Sequence, residues 1–135
     1  MNECEEVSNR KEFVFKECGR KLTLRNVNQV ESRKIKVDDC AIKDKFEIKC
    51  DYLLIAEGNE IFIELKGTDI DHALKQIENT IRLIGKKSDI GNRKAYIIST
   101  RVPLSSSEVQ VLQSRHRNNF KSKLIIHSSP HKEDY

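Results

Sequence analysis

Two periods divide the chain. Up to residue 65 apolar positions alternate with polar ones or form short blocks; from residue 70 they recur every three or four residues. Leu22 and Leu24 alternate with polar partners over residues 21–27, and Ile35 and Val37 do so over residues 34–40. Both patterns suit short strands. Residues 46–56 are rich in apolar and β-branched side chains and predict a central strand, with a turn at Asp44-Lys45 ahead of it. Residues 60–65 predict the next strand, and the polar link Glu57-Gly58-Asn59-Glu60 makes the pair an antiparallel hairpin. Ile70, Ala73, Leu74, Ile77, Ile81 and Ile84 then form one helical stripe. Thr68 and Asp71 are spaced as a capping box, and Gly85, Lys86 and Lys87 suit the helix end. Residues 94–100 predict a strand. Ser105-Ser106-Ser107-Glu108 opens a second helix to about residue 117, and residues 123–127 predict a last strand. The tail from Ser128 is polar and expected to fray. Residues 1–20 hold Val7, Phe13, Val14 and Phe15 among charges and read as a helix or partly ordered lead-in ending near Gly19.

This order is α/β. The helix between strands 60–66 and 94–100 predicts a right-handed crossover and hence parallel strands. A mixed sheet with helices on its faces follows. The length of 135 residues, without repeat or linker, predicts one domain over 1–135 with a polar tail.

Composition changes this picture little. Charged residues make up 34% and aromatics 6%, so a charged surface surrounds an aliphatic core. The net charge of +4 is only a weak pointer to a polyanionic partner. The first ten residues hold no apolar core of signal-peptide length, and no run approaches the ~20 residues of a membrane span. A cytoplasmic location, away from membranes, is therefore expected. Cys4, Cys18, Cys40 and Cys50 form no CxxC and are expected as reduced thiols, although Cys40 and Cys50 flank a hairpin. His72, His116, His127 and His131 show no metal-ligand spacing and are not expected to bind one.

The chemistry gathers at the hairpin. Glu64 and Lys66 are two apart and share a strand face, and Asp51 lies on the partner strand. Two carboxylates and a backbone carbonyl, that of Leu65, can hold a hard divalent cation beside a lysine. Acid-x-lysine alone is uninformative, because Glu47-Ile48-Lys49 is a second copy. Only Glu64-Leu65-Lys66 has an acid on the preceding strand, Gly67 after it and a helix beyond. Lys49 is therefore expected to be silent. Asp38-Asp39 could support a metal, but a turn or strand-end role is expected.

This arrangement resembles the PD-(D/E)xK nuclease superfamily over about residues 46–100, with Asp51, Glu64 and Lys66 at the motif positions. Cys50 replaces the familiar proline. The resemblance implies a restriction-endonuclease-like mixed β-sheet flanked by helices, with core order αβββαβ followed by a further helix and strand. It implies that Asp51, Glu64 and the Leu65 carbonyl bind Mg²⁺ or Mn²⁺. Lys66 would position the attacking water, and Gln76, at the place of a helical glutamine facing the site, would assist. A first-helix acid would be Glu6, Glu12, Glu17 or Glu31, with Glu31 ranked first. The implied function is metal-dependent hydrolysis of phosphodiester bonds, with DNA favoured; the alternative is a non-catalytic nucleic-acid-binding or protein-interaction module on the same fold. Lys86, Lys87, Arg93 and Lys94, and Arg115, Arg117, Lys121 and Lys123, are candidate phosphate contacts. A homodimer or partner subunit is expected, through Val109, Val111 and Leu112 or the strand Leu124-Ile125-Ile126.

Overall fold

The computed structural model describes residues 3–87 and 92–135. In chain order its elements are β1 (Glu5–Ser8), β2 (Glu12–Glu17), β3 (Arg20–Arg25), β4 (Ser32–Lys36), β5 (Tyr52–Ala56), β6 (Asn59–Lys66), α1 (Ile70–Ile84), β7 (Arg93–Ser99), α2 (Ser106–Phe120), β8 (Ser122–Ser128) and β9 (His131–Asp134). Six strands form one mixed sheet in the order β1-β4-β5-β6-β7-β8, and β2-β3-β9 form a second. No described helix is long and apolar enough to cross a membrane.

The predicted hairpin forms as β5 and β6, with Glu57 and Gly58 both at positive φ in its two-residue turn. That is the backbone of the turn that matches strand twist, and it explains the glycine. β6–α1–β7 and β7–α2–β8 join parallel strands, as the helical periods predict. Both crossovers advance in the same direction across the sheet, so a common hand sets both helices on one face. There Ile70, Ala73, Leu74, Ile77 and Ile81 of α1 pack with Phe62, Ala95, Ile97 and Leu112.

The other face carries no helix among the described residues, contrary to expectation. It is covered by the small sheet, whose Phe13, Phe15, Leu22 and Leu24 pack on Leu54, Ile61, Ile63, Leu65, Tyr96 and Ile98. The lead-in of residues 1–20, read as a helix or partly ordered, is thus β1 and β2, the latter paired with β3 where a strand was expected over residues 21–27, and the first helix of the core order has no counterpart among the described residues. Phe13 and Phe15 are two apart and fully buried, which is a strand period. Gly19 ends no helix. With Cys18 it makes the two-residue turn of that hairpin, both at positive φ.

Four further corrections concern local structure. The central strand begins at Tyr52 rather than residue 46, because α1 captures the backbone before it. Gln76 Nε2 donates to Lys49 O (3.1 Å), Asn79 Nδ2 to Ile48 O (2.7 Å), and Cys50 N donates to Thr80 Oγ1 (2.8 Å). The cap of α1 is Asp69, which accepts from His72 N, and not Thr68. The tail does not fray: β9 pairs in parallel with β3, and Tyr135 meets Ser32 Oγ through its hydroxyl (2.7 Å). Cys4 and Cys40 form a disulfide across 36 residues, while Cys50 is buried and free and Cys18 exposed and free. This pairing overturns the expectation that all four cysteines are reduced thiols.

α2 carries the expected serine opening as a full capping box between Ser105 and Glu108, and it runs to Phe120. Of the apolar residues proposed for a partner surface, Leu112, Leu124 and Ile125 are buried in the chain's own core, whereas Val111 is exposed.

Candidate active site

β6 places Glu60, Phe62, Glu64 and Lys66 on the face that carries the helices, since alternate residues share a face. Tyr52 is registered against Ile63, and Asp51, one residue earlier, donates its backbone N–H to the Ile63 carbonyl (3.1 Å). The Asp51 carboxylate turns to β6 as well: Leu65 N donates to Asp51 Oδ2 (2.9 Å). The fold therefore brings Asp51 and Glu64 together at the C-terminal end of β6, as the sequence predicts. Leu65 joins them through its N–H, a tie to Asp51 that the sequence did not indicate.

Both carboxyls are out of water, Asp51 8% and Glu64 2% exposed. Burial, with Glu17 and Asp38 adding repulsion, pushes the Asp51 carboxyl up to about 6 against the pull of the Leu65 N–H. Glu64 is pushed up to about 9, first by burial and then by Asp51, while Lys66 opposes the shift. A buried carboxyl beside another carboxyl disfavours its charged form. Among the described residues Glu64 Oε1 and Gln76 Oε1 are both buried without a hydrogen-bond partner. Each is an oxygen lone-pair site that no described residue satisfies, and native interiors leave few of those.

Gln76 reaches this region as expected, but its amide nitrogen is committed to Lys49 O. It is both a clamp on the segment before β5 and a source of a free oxygen. Lys66 is half-buried, and its side chain makes no hydrogen bond or ion pair with a described residue. Beside it, the Arg20 guanidinium donates to Thr100 Oγ1 (3.2 Å), and its Nη2 lies 3.3 Å from where a Cβ on Gly67 would stand. A side chain at residue 67 would press on that guanidinium. Arg20 is a second cation at this edge that the sequence did not single out, because its place depends on the β2–β3 hairpin folding over the sheet.

The acids ranked as first-helix candidates separate by position. Glu31 precedes Ser32, which pairs with Ala56, so it lies at the far end of β4 from Asp51. Glu6 is on the edge strand β1, and Glu12 pairs with Lys132 (2.7 Å) on the small sheet. Glu17 alone of the four acts on Asp51, together with Asp38. Asp38 is held at the site's rim by the backbone after β4, where Val37 N donates to Asp51 O (2.9 Å). No local sequence signal distinguishes Asp38 or Glu17.

The second triplet is consumed by structure. Lys49 is buried, with Nζ donating to Asp44 O (2.6 Å) and Glu47 O (3.0 Å), and Glu47 accepts from Asn79 (2.9 Å). Lys49 is therefore not silent for stability. The basic clusters converge at the other end of the strands, around a cavity of about 420 Å³ lined by Lys94, Arg117, Lys121 and Lys123. Glu64 is registered against Ile97, three residues along β7 from Lys94, so that end lies roughly 10 Å along the strand from the carboxylates. Arg93 also lines it, but its guanidinium is buried against Glu60 (3.0 Å). His116 is fully buried, with Nδ1 on Glu78 Oε2 (2.8 Å).

Comparison with protein-family models, curated proteins and solved structures returns no match for this chain. The class of protein is therefore argued from the geometry just described.

Proposed function

We propose that the chain is a metal-dependent nuclease that hydrolyses phosphodiester bonds, with DNA the favoured substrate, on a restriction-endonuclease-like core formed by β4–β5–β6–α1–β7. The observation that carries this reading is the pair of buried carboxyls, Asp51 and Glu64, with an unpartnered Glu64 oxygen and a lysine two residues on. The small sheet in place of a first helix is where the chain departs from the family it resembles. A hard divalent cation fits the donors: two carboxylates, a carbonyl and an orphan amide oxygen are all hard ligands.

Asp51, Glu64 and the Leu65 carbonyl would hold Mg²⁺ or Mn²⁺. Bound there, the ion supplies Lewis-acid polarisation of a phosphoryl oxygen and lowers the pKa of a nearby water. The chain's own residues do the rest. Leu65 N–H fixes the Asp51 carboxylate in orientation. Glu64 keeps a proton in the metal-free protein at neutral pH and gives it up on loading. Lys66 orients the attacking water and offsets the charge that builds on phosphorus. Gln76 Oε1 accepts a hydrogen bond from that water or from Lys66. Arg20 is placed to meet a non-bridging phosphate oxygen.

Cleavage of a panel of single- and double-stranded DNA and RNA with Mg²⁺, Mn²⁺ or EDTA tests this. Metal-dependent cleavage that EDTA stops, and that Glu64→Ala removes, is the expected result. Binding without cleavage on every substrate and metal would instead favour a non-catalytic nucleic-acid-binding module. The observation on that side is the basic cavity at the other end of the strands from the carboxylates. A mass measurement in solution, with and without metal, tests the proposed homodimer against the monomer of 15.7 kDa.

A further inference from the structure

Across the same end of the strands, on the opposite face of the large sheet, lies a cluster that the proposed nuclease chemistry does not use. His127 shares the face of Ile125, towards the small sheet. His131 opens β9, and Glu133 follows two residues later on the same side. One ligand atom from each of His127, His131 and Glu133 lies within 4.8 Å of the others. The imidazoles are stacked, centroids 3.9 Å apart and 11° from parallel. His131 Nε2 is 3.0 Å from Glu133 Oε1. The other Glu133 oxygen accepts a short hydrogen bond from the hydroxyl of Tyr96, a residue fully buried in β7.

We propose that His127, His131 and Glu133 form a binding site for a borderline transition-metal cation, Zn²⁺ foremost, which fastens the end of β8 to the start of β9. The donor set decides the metal. Two imidazoles and one carboxylate suit zinc and its neighbours, whereas magnesium takes oxygen ligands. A tetrahedral ion with bonds of ~2.0–2.2 Å needs donors ~3.3 Å apart. His131 and Glu133 already stand that close, and His127, exposed at the strand end, swings in by a side-chain rotation. Tyr96 supplies the outer hydrogen bond that orients a ligating carboxylate. Three protein ligands leave the fourth position for water or an exogenous group. The two histidines belong to different sheets, β8 to the large one and β9 to the small one, so the ion would clamp the corner where the chain crosses between them. The spacing His127-x3-His131 is one that zinc sites use, contrary to the expectation from the sequence, and Glu133 joins it once β9 has docked beside β3.

The test is titration of the full chain with Zn²⁺ against a competing chelator, followed by amide hydrogen exchange. One Zn²⁺ per chain is expected. His127→Ala and His131→Ala should weaken binding at least 100-fold. Glu133→Gln keeps an acceptor for Tyr96 and should weaken it about tenfold, as should Tyr96→Phe. Glu64→Ala and Cys18→Ser, which remove the carboxylate site and the exposed thiol, should leave affinity unchanged. Exchange across residues 128–134 should slow when Zn²⁺ is added. Absence of binding below about 100 μM, equal binding by the histidine variants, loss through Glu64→Ala or Cys18→Ser, or unchanged exchange would each overturn the proposal.

Discussion

Glu60 and Glu64 are the same residue, four positions apart on one strand, on one face, and 4% and 2% exposed. Their surroundings are opposite. Glu60 meets the Arg93 guanidinium through Nε (3.2 Å) and Nη2 (3.0 Å), and accepts Lys86 N as well (3.1 Å). Arg93 in turn donates to Lys86 O (2.6 Å) and Phe120 O (2.9 Å), closing a network over the C-terminal ends of both helices. Glu64 has an oxygen without a donor and two carboxylates, Asp51 and Asp38, acting on it. A buried charge with a full set of partners is a structural element. A buried carboxyl beside other carboxylates is tolerated where a cation relieves it, and that is the end of the strand where the proposed site lies.

The sharpest way to break this comparison is substitution at both ends. Glu64→Ala should abolish divalent-metal binding and cleavage, yet leave unfolding stability in EDTA unchanged or raised, because it removes a repelled carboxyl. Asp51→Ala should abolish the same functions but cost about 1–3 kcal/mol, since Leu65 N–H loses its acceptor. Calorimetric metal titration and urea unfolding read both. At the other end, Arg93→Ala should cost about 3–5 kcal/mol in urea unfolding by leaving Glu60 buried and unpaired, with metal binding retained. If Arg93→Ala and Glu64→Ala cost the same in EDTA, the two glutamates do not differ in the way argued.

Lys66→Ala sharpens the functional half. Metal affinity should stay within a few-fold of wild type while turnover falls about 10²–10³-fold, the scale of losing one group that stabilises transition-state charge. A parallel loss of metal affinity would make Lys66 a structural partner of Glu64 instead.

The smallest effect is on pH dependence. Glu64 is raised from 4.5 to about 9 and Asp51 from 3.8 to about 6 in the folded chain. Each therefore binds its proton more tightly folded than unfolded. The stability they contribute is complete below the unfolded values and is lost as pH rises through the folded ones. In EDTA, unfolding free energy should fall between about pH 4.5 and 9, and Glu64→Gln should flatten that slope. Metal affinity should rise over the same range, because binding displaces the proton. A metal-free stability that climbs with pH through this window, and does so equally in Glu64→Gln, would show that the carboxyl is not held protonated.

Much of this was legible in the chain and some was not. The apolar stripe of α1 was read from its period, except that Ile84 is 38% exposed at the frayed end. The β5–β6 hairpin followed from two apolar runs and Glu57-Gly58. The pairing of Asp51 with Glu64 followed from the hairpin, since register across a tight turn is nearly forced. β2 was misread, although its partner β3 was not, because its charged residues, Glu12, Lys16 and Glu17, obscured the Phe13–Phe15 alternation. The delayed start of β5 was invisible, because Gln76, Asn79 and Thr80 supply its partners from about 30 residues away.

The sequence by itself determined what is local: the periods of the helices and strands, the tight turns, the serine cap of α2, and the spacing that puts Glu64 and Lys66 on one face. Only the tertiary structure decided between equals. It chose Glu64 over Glu60 as the carboxyl with an unpartnered oxygen. It also joined Cys4 to Cys40 and docked the polar tail as β9 beside β3. The physical reason is common to all of them. Backbone period is set by neighbours a few residues apart, whereas desolvation, charge pairing and ligand geometry are set by groups brought together from distant parts of the chain.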